Sequence, residues 1–231
     1  MNVFKKPTVA LIVTGDELVE PGQNLISGKI YESNSYTLLA ALKSNGFAAT
    51  VHQLEDNFAS TKTAIKNAIK SSDVVILTGG ISVGDYDFVG KSMEDLKVEK
   101  VFYKINQKPG KPMYHGVKDG AKIFALPGNP AAALTCYYFY VLPTIQKMSG
   151  EINQGLKNKK AFLHEKYSKK GTRAFLLKAQ VKNGIVSIHT GQSSAMLSSF
   201  VEANCLLHLP SQEKEYLKGD EVDVYLIPNS Q

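Results

Sequence analysis

The heptad Thr78-Gly79-Gly80-Ile81-Ser82-Val83-Gly84 follows the apolar run Val74-Val75-Ile76-Leu77 without a break. Glycines at 79, 80 and 84 permit backbone shapes in which successive N–H groups converge on one anion, and Ser82 adds a hydroxyl donor. A helix starting just beyond would turn its N-terminus to the same point and favour negative charge there. A tight strand-to-helix turn is the plain alternative, but the serine set among the glycines points to phosphate.

Acids gather at comparable places: Asp16 and Glu17 after the first apolar run, Asp56 after the second, Asp85 and Asp87 after the third. Singly, each reads as a turn or cap residue. Together, around a phosphate site, they would repel the ligand unless a divalent cation bridged carboxylate and phosphate, so magnesium is expected. Lys108-Pro109-Gly110-Lys111-Pro112 offers two ammonium groups on a proline-stiffened loop, suited to an oxyanion. Pro127-Gly128-Asn129-Pro130 combines helix-start chemistry with an amide able to reach a ligand. His52, His115 and His208 lie in strand-like surroundings and read as structural or surface residues, with Ser60 as a helix N-cap.

These residues must be positioned by elements, and the pattern supplies them. Thr8–Val13 and Val74–Leu77 are continuously apolar, as strands covered on both faces are, and 48–54 reads as another strand. Residues 34–44, 60–71, 88–96 and 131–148 have helical spacing or length. The expected fold is α/β, a doubly wound, mostly parallel sheet over residues 1–150. In such sheets ligands bind outside the carboxyl ends of the strands, where all the unusual residues fall. A polar stretch, 151–160, marks the boundary to a small all-β domain over 151–231. Its short strands are Ala161-Phe162-Leu163, Ala174–Leu177, Ile185–Ile188, Cys205–Leu209 and Val222–Leu226, with turns at Asn183-Gly184 and Lys218-Gly219-Asp220.

Composition narrows the class. The 231 residues are 43% hydrophobic and 21% charged, which is globular, and no apolar run approaches the roughly 18 residues of a membrane span. No secretory signal is visible, so a cytoplasmic protein without membrane contact is expected. The net charge of +6 is scattered, apart from Lys157–Lys160 and Lys169-Lys170, which read as solvated loop, and no nucleic-acid partner is expected. Cys136 and Cys205 sit in apolar stretches as small buried residues.

Taken in order, Thr14-Gly15-Asp16-Glu17-Leu18, the 78–84 glycine loop, the 108–112 lysine loop and Leu126-Pro127-Gly128-Asn129-Pro130 resemble the molybdopterin molybdenumtransferase family, MoeA and the E domain of gephyrin. The resemblance spans nearly the whole chain and includes a MogA-like first domain. It implies insertion of molybdenum from molybdate into adenylylated molybdopterin, with magnesium and release of AMP, by a homodimer. It further implies Glu17, Asp56 and Asp87 as catalytic acids, the two aspartates holding the metal. Thr14, Gly15, Gly79, Gly80, Ser82, Gly84 and Pro127–Pro130 (with Gly128 and Asn129) would hold the pterin or nucleotide. Lys108 and Lys111 would face molybdate, joined by Arg173 and Ser194 from the small domain. Ala131-Ala132 stands where some members carry a serine after the second proline, so that hydroxyl contact is lost. Family members carry two further domains before this region, so a fragment that binds ligand but is impaired in catalysis is expected. Two alternatives remain: the related molybdopterin adenylyltransferase, and a non-catalytic pterin-binding scaffold.

Overall fold

Val9-Ala10-Leu11-Ile12-Val13 is apolar at every position because strand β1 (Val9–Thr14) is covered on both faces. The chain continues through β2 (Leu18–Val19), β3 (Ile30–Tyr31), α1 (Asn34–Ser44), β4 (Ala49–Leu54), α2 (Phe58–Ser71), β5 (Val74–Thr78) and α3 (Phe88–Asp95). Four strands follow, β6 (Glu99–Tyr103), β7 (Gln107–Lys108), β8 (Tyr114–Lys118) and β9 (Ala121–Leu126). A long helix then runs through α4 (Pro130–Cys136), a π-helical turn (Tyr137–Val141) and α5 (Leu142–Met148). These elements come from a computed structural model, which describes residues 3–81 and 88–228.

Six strands form one sheet in the order β4-β1-β5-β9-β8-β6. Period two decides its faces. Val9, Leu11 and Val13, with Val74, Ile76, Phe124 and Leu126, pack against Leu38 and Leu42 of α1 and against the long helix. Ala10 and Ile12, with Val75, Leu77, Ile123 and Ala125, pack against Ile65 and Ile69 of α2 and Val89 and Met93 of α3. The sheet is therefore doubly wound, as expected, and β4, β1, β5 and β9 are parallel. Its far third is antiparallel: β8 runs against both β9 and β6. The cause is local. Asp119 and Gly120 both adopt positive φ, 50° and 86°, and close a two-residue hairpin that no helix can cross over.

The helix α2 starts earlier than its spacing suggests. Asn57, not Ser60, is the N-cap, and its side chain accepts the Ser60 N–H at 2.8 Å. In the long helix Pro143 lacks the N–H that a regular turn would supply, and the backbone widens just before it.

The remaining strands are β10 (Lys157–Leu163), β11 (Tyr167–Lys169), β12 (Ala174–Lys182), β13 (Ile185–Ile188), β14 (Cys205–Leu209), β15 (Lys214–Tyr216) and β16 (Glu221–Leu226), with a short helix α6 (Ser199–Glu202). Their sheet runs β13-β10-β16-β14-β12-β7, and β13 also pairs with β12, which closes it into a barrel. Alternate residues of β12 and β14, among them Phe175, Leu177, Ala179, Cys205 and Leu207, fill the interior. Strand β7 comes from the first half of the chain, so the two sheets are tied together at Gln107–Lys108. Leu206 and Tyr225 on the barrel's outer face pack against the first core, Tyr225 edge-on to Phe139 with ring centroids 4.9 Å apart.

Two lysine runs differ from the expectation of solvated loop. Lys157–Lys160 opens β10, where backbone pairing with β16 needs no apolar side chain and Lys160 meets Asp223 at 3.0 Å. Lys169 is buried because its Nζ donates to the carbonyls of Gly171 and Gln212 and lies over the Phe175 ring. Both cysteines are free and buried. Among the described residues no helix is long and apolar enough to cross a membrane.

Candidate functional site

Neighbouring parallel strands deliver their carboxyl ends side by side: Thr14 from β1, Gly79 and Gly80 from β5, Pro127 and Gly128 from β9. The approach is very close. A Cβ on Gly79 would lie 2.0 Å from the Thr14 carbonyl oxygen, and one on Gly80 2.8 Å from Thr14 Oγ1. Both glycines hold positive φ, 87° and 59°, so steric room and backbone shape each demand glycine. Asn34, at the start of α1, ties the rim together. Its Nδ2 donates to Thr78 Oγ1 at 2.7 Å and to the Gly128 carbonyl at 2.8 Å. Its Oδ1 is buried without a hydrogen-bond partner.

Over this rim lies a cleft of about 550 Å³. Of the residues expected from the sequence, Thr14, Glu17, Gly79 and all of Pro127–Pro130 line it. Gly80 stands behind Gly79, against Thr14 and within reach of Asp56, whose Oδ1 would be 3.9 Å from a Cβ there. Gly15 and Asp16 face an adjoining groove with Lys29 and Glu55. Asp16 also accepts the Asp56 N–H at 2.9 Å, which sets the Asp56 loop beside the end of β1. Burial raises the pKa of Asp56 most, the charges of Glu17 and Asp16 raise it further, and the nearby Thr14 hydroxyl works against them. Ser82, Gly84, Asp85 and Asp87 lie outside the described residues. Among the described residues no three His, Cys, Asp or Glu side chains converge as a metal site.

The barrel contributes a second wall. Asn129 Nδ2 donates to Ser194 Oγ at 3.0 Å, the Ala132 N–H donates to the Ser194 carbonyl at 3.2 Å, and Ala195 lines the cleft. Ser194 thus meets the 127–130 segment although 65 residues separate it from Asn129. The lysine loop is split. Pro112 lines the cleft, while the Lys111 carbonyl accepts the N–H groups of Ile105 and Met113 and its side chain is exposed. Lys108 Nζ sits 5.1 Å from the centre of the Phe175 ring, outside the cleft lining. Arg173 precedes Ala174, which pairs with Gln107, so it is brought to the lysine loop and not to the lining. Ala131 and Ala132 are buried.

Sequence reasoning passed over Glu32 and Asn34. Glu32 is 3% exposed, lines the cleft, and accepts the Ser35 N–H at 2.9 Å and the Ser35 hydroxyl. The available signal was Glu32-Ser33-Asn34-Ser35, polar residues at the head of the helical spacing that begins at 34.

Two family models match the chain. The model described as "Probable molybdopterin binding domain" covers residues 10–147, and that described as "MoeA C-terminal region (domain IV)" covers 160–227. The molybdopterin molybdenumtransferase of Staphylococcus epidermidis is 33% identical over 231 residues, 98% of this chain and 55% of its own. That of Staphylococcus aureus strain Mu50 is 32% identical with the same coverage. Among solved structures, the molybdopterin biosynthesis MoeA protein of Pyrococcus horikosii superposes with a TM-score of 0.81 at 30% identity, over 96% of this chain and 54% of that one. The chain spans about half the length of the curated relatives it matches.

Proposed function

The chain belongs to the molybdopterin molybdenumtransferase (MoeA) family, and from that membership we propose that it acts in molybdenum cofactor biosynthesis. Its substrates are molybdate and adenylylated molybdopterin, and its products are AMP and the molybdenum-loaded pterin. The observation that carries this reading is the meeting of Thr14, Glu17, Gly79 and Pro127–Pro130 around one cleft, with Ala195 of the barrel opposite. Backbone at Gly79 and Gly80 can approach a phosphate more closely than any side-chain-bearing residue would allow. The barrel domain favours the transferase over an adenylyltransferase, which the first domain alone would not separate.

Magnesium belongs to the same proposal. The charges acting on Asp56 are the negative ones of Glu17 and Asp16, and burial adds to the cost of ionising it. That is the donor chemistry a divalent cation fits, with Asp56 as ligand; Asp87, the second ligand the resemblance implies, lies outside the described residues. When bound, the ion offsets phosphate charge. Glu17 orients the ligand from the cleft wall, Lys108, Lys111 and Arg173 attract molybdate to the barrel side, and Ser194 holds Asn129. The division into domains 1–150 and 151–231, a cytoplasmic location and a homodimer complete the reading. The homodimer has support from the exposed apolar residues Leu25, Ile26, Ile30 and Tyr31, the last two in the cleft lining.

Titration calorimetry with AMP tests the ligand, and molybdate-dependent release of AMP from adenylylated molybdopterin tests the reaction. Magnesium should tighten AMP binding, Gly80→Asp should abolish it, and Asp56→Asn should remove the magnesium effect. Asp56→Asn should also slow AMP release about 100-fold, the usual scale for losing one electrostatic group. AMP binding indifferent to Gly80→Asp would sink the assignment.

A further inference from the structure

Lys178 lies in the middle of β12 and is only 3% exposed. Its Nζ donates to the carbonyls of Ser193 at 3.1 Å and Met196 at 3.0 Å. The ring of Phe200 takes another side, its centre 5.6 Å from the ammonium. An ammonium has three donors and no acceptor, and removing it from water costs heavily unless partners replace the solvent. Among the described residues no carboxylate pairs with it. The charge is therefore held by backbone dipoles, and both carbonyls come from one turn.

That turn is gripped a second time. Gln192 Oε1 accepts the Lys178 N–H at 3.0 Å, and Gln192 Nε2 donates to the carbonyls of Lys178 at 2.8 Å and His189 at 2.7 Å. The two carbonyls held by the ammonium bracket Ser194 and Ala195. Ala195 lines the cleft and Ser194 meets Asn129 of its wall. Ala132 is in the first turn of α4, where N–H groups have no partner within the helix, and the Ser194 carbonyl supplies one.

We infer that Lys178 is a positioning residue for the cleft: its ammonium holds the Ser193–Met196 turn so that Ser194 and Ala195 close against the Pro127–Pro130 segment. Lys178 touches no ligand itself and acts through the carbonyls it binds. The inference rests on the ligand-binding reading of the cleft and names what sets its barrel-side wall. A purely structural role predicts something different. Lys178→Met leaves the Ser193 and Met196 carbonyls without their donor, so a purely structural role predicts loosening throughout the barrel and a positioning role predicts loosening at the turn and the cleft wall.

Two measurements decide it in the full chain: hydrogen exchange of the Ala132 amide by NMR, which needs no ligand, and AMP affinity by calorimetry. In Lys178→Met, Ala132 exchange should accelerate and AMP affinity fall, each about tenfold, the scale of one lost hydrogen bond. Amides of Val222 and Val224 in the barrel wall should accelerate far less than that of Ala132. Lys178→Arg, which keeps a cationic donor, should recover part of both losses. Unchanged Ala132 exchange overturns the inference, as does equal acceleration throughout the barrel. Faster exchange at unchanged AMP affinity overturns it too, because the turn would then not shape the cleft. If Lys178→Met does not fold, Gln192→Leu decides by the same two readings, since it loosens the turn without stranding a charge. A wild-type protein that takes up no AMP would refute the ligand reading, and Ala132 exchange would still decide the positioning.

Discussion

At the rim of the α/β sheet, Asp56 sits among like charges, and Asn34 Oδ1 is buried without a partner. In the barrel, Lys169 and Lys178 are buried as deeply, yet each gives hydrogen bonds to two carbonyls and lies near an aromatic ring. Unmet polarity of the first kind lowers stability and leaves capacity for a ligand. The lysines of the second kind are spent on holding turns. One of those turns reaches the cleft, so the barrel serves the rim by its rigidity.

The sharpest way to break this comparison is Gly79→Ala. The added Cβ would meet the Thr14 carbonyl at 2.0 Å on a residue at φ 87°. A loss of about 3 kcal/mol is expected in urea denaturation, from left-handed strain and overpacking together. A near-neutral result would mean the three strand ends are not locked.

Asp56→Asn should act in the other direction on the protein without ligand. Its folded-state pKa is raised above the unfolded value, so ionising Asp56 opposes folding at pH values above that unfolded value. The substitution should stabilise at pH 7, by less than about 1 kcal/mol because the carboxyl is still partly solvated. The gain should vanish below about pH 4, where both states are protonated. Destabilisation at pH 7 would mean that Asp56 is satisfied in the folded protein.

The smallest effect belongs to the barrel. Burial pushes the His208 pKa down, against the pull of Asp223. The unfolded chain then takes up the proton first, so this contribution is whole above about pH 6.5 and fades as pH falls below it. His208→Gln should flatten the acid side of the stability profile in that window. An unaltered slope would show that the histidine carries no such linkage. Acid thus relieves the rim and weakens the barrel.

Much of the fold was legible because burial on two faces writes itself as unbroken apolar runs, and β1 and β5 match theirs within two residues. Gly79 and Gly80 were legible for a different reason. Their positive φ and close approach to Thr14 exclude other residues, so the steric demand shows in the sequence. Glu32 and Asn34 were not legible, because a polar residue at a helix start looks the same whether or not it lines a cleft. Lys169 was misread because an isolated lysine pair carries no sign of the two carbonyls that receive one of its members.

By itself the sequence determined the buried strands β1 and β5, the main helices and the faces they bury, since each follows from local spacing and steric limits. Only the tertiary structure decided that β8 runs antiparallel to both β9 and β6, that Lys108 lies over Phe175 beyond the cleft lining, and that Ser194 reaches Asn129 across 65 residues. The physical reason is that partners for buried polar groups are chosen by geometry, which brings together atoms that no local pattern relates.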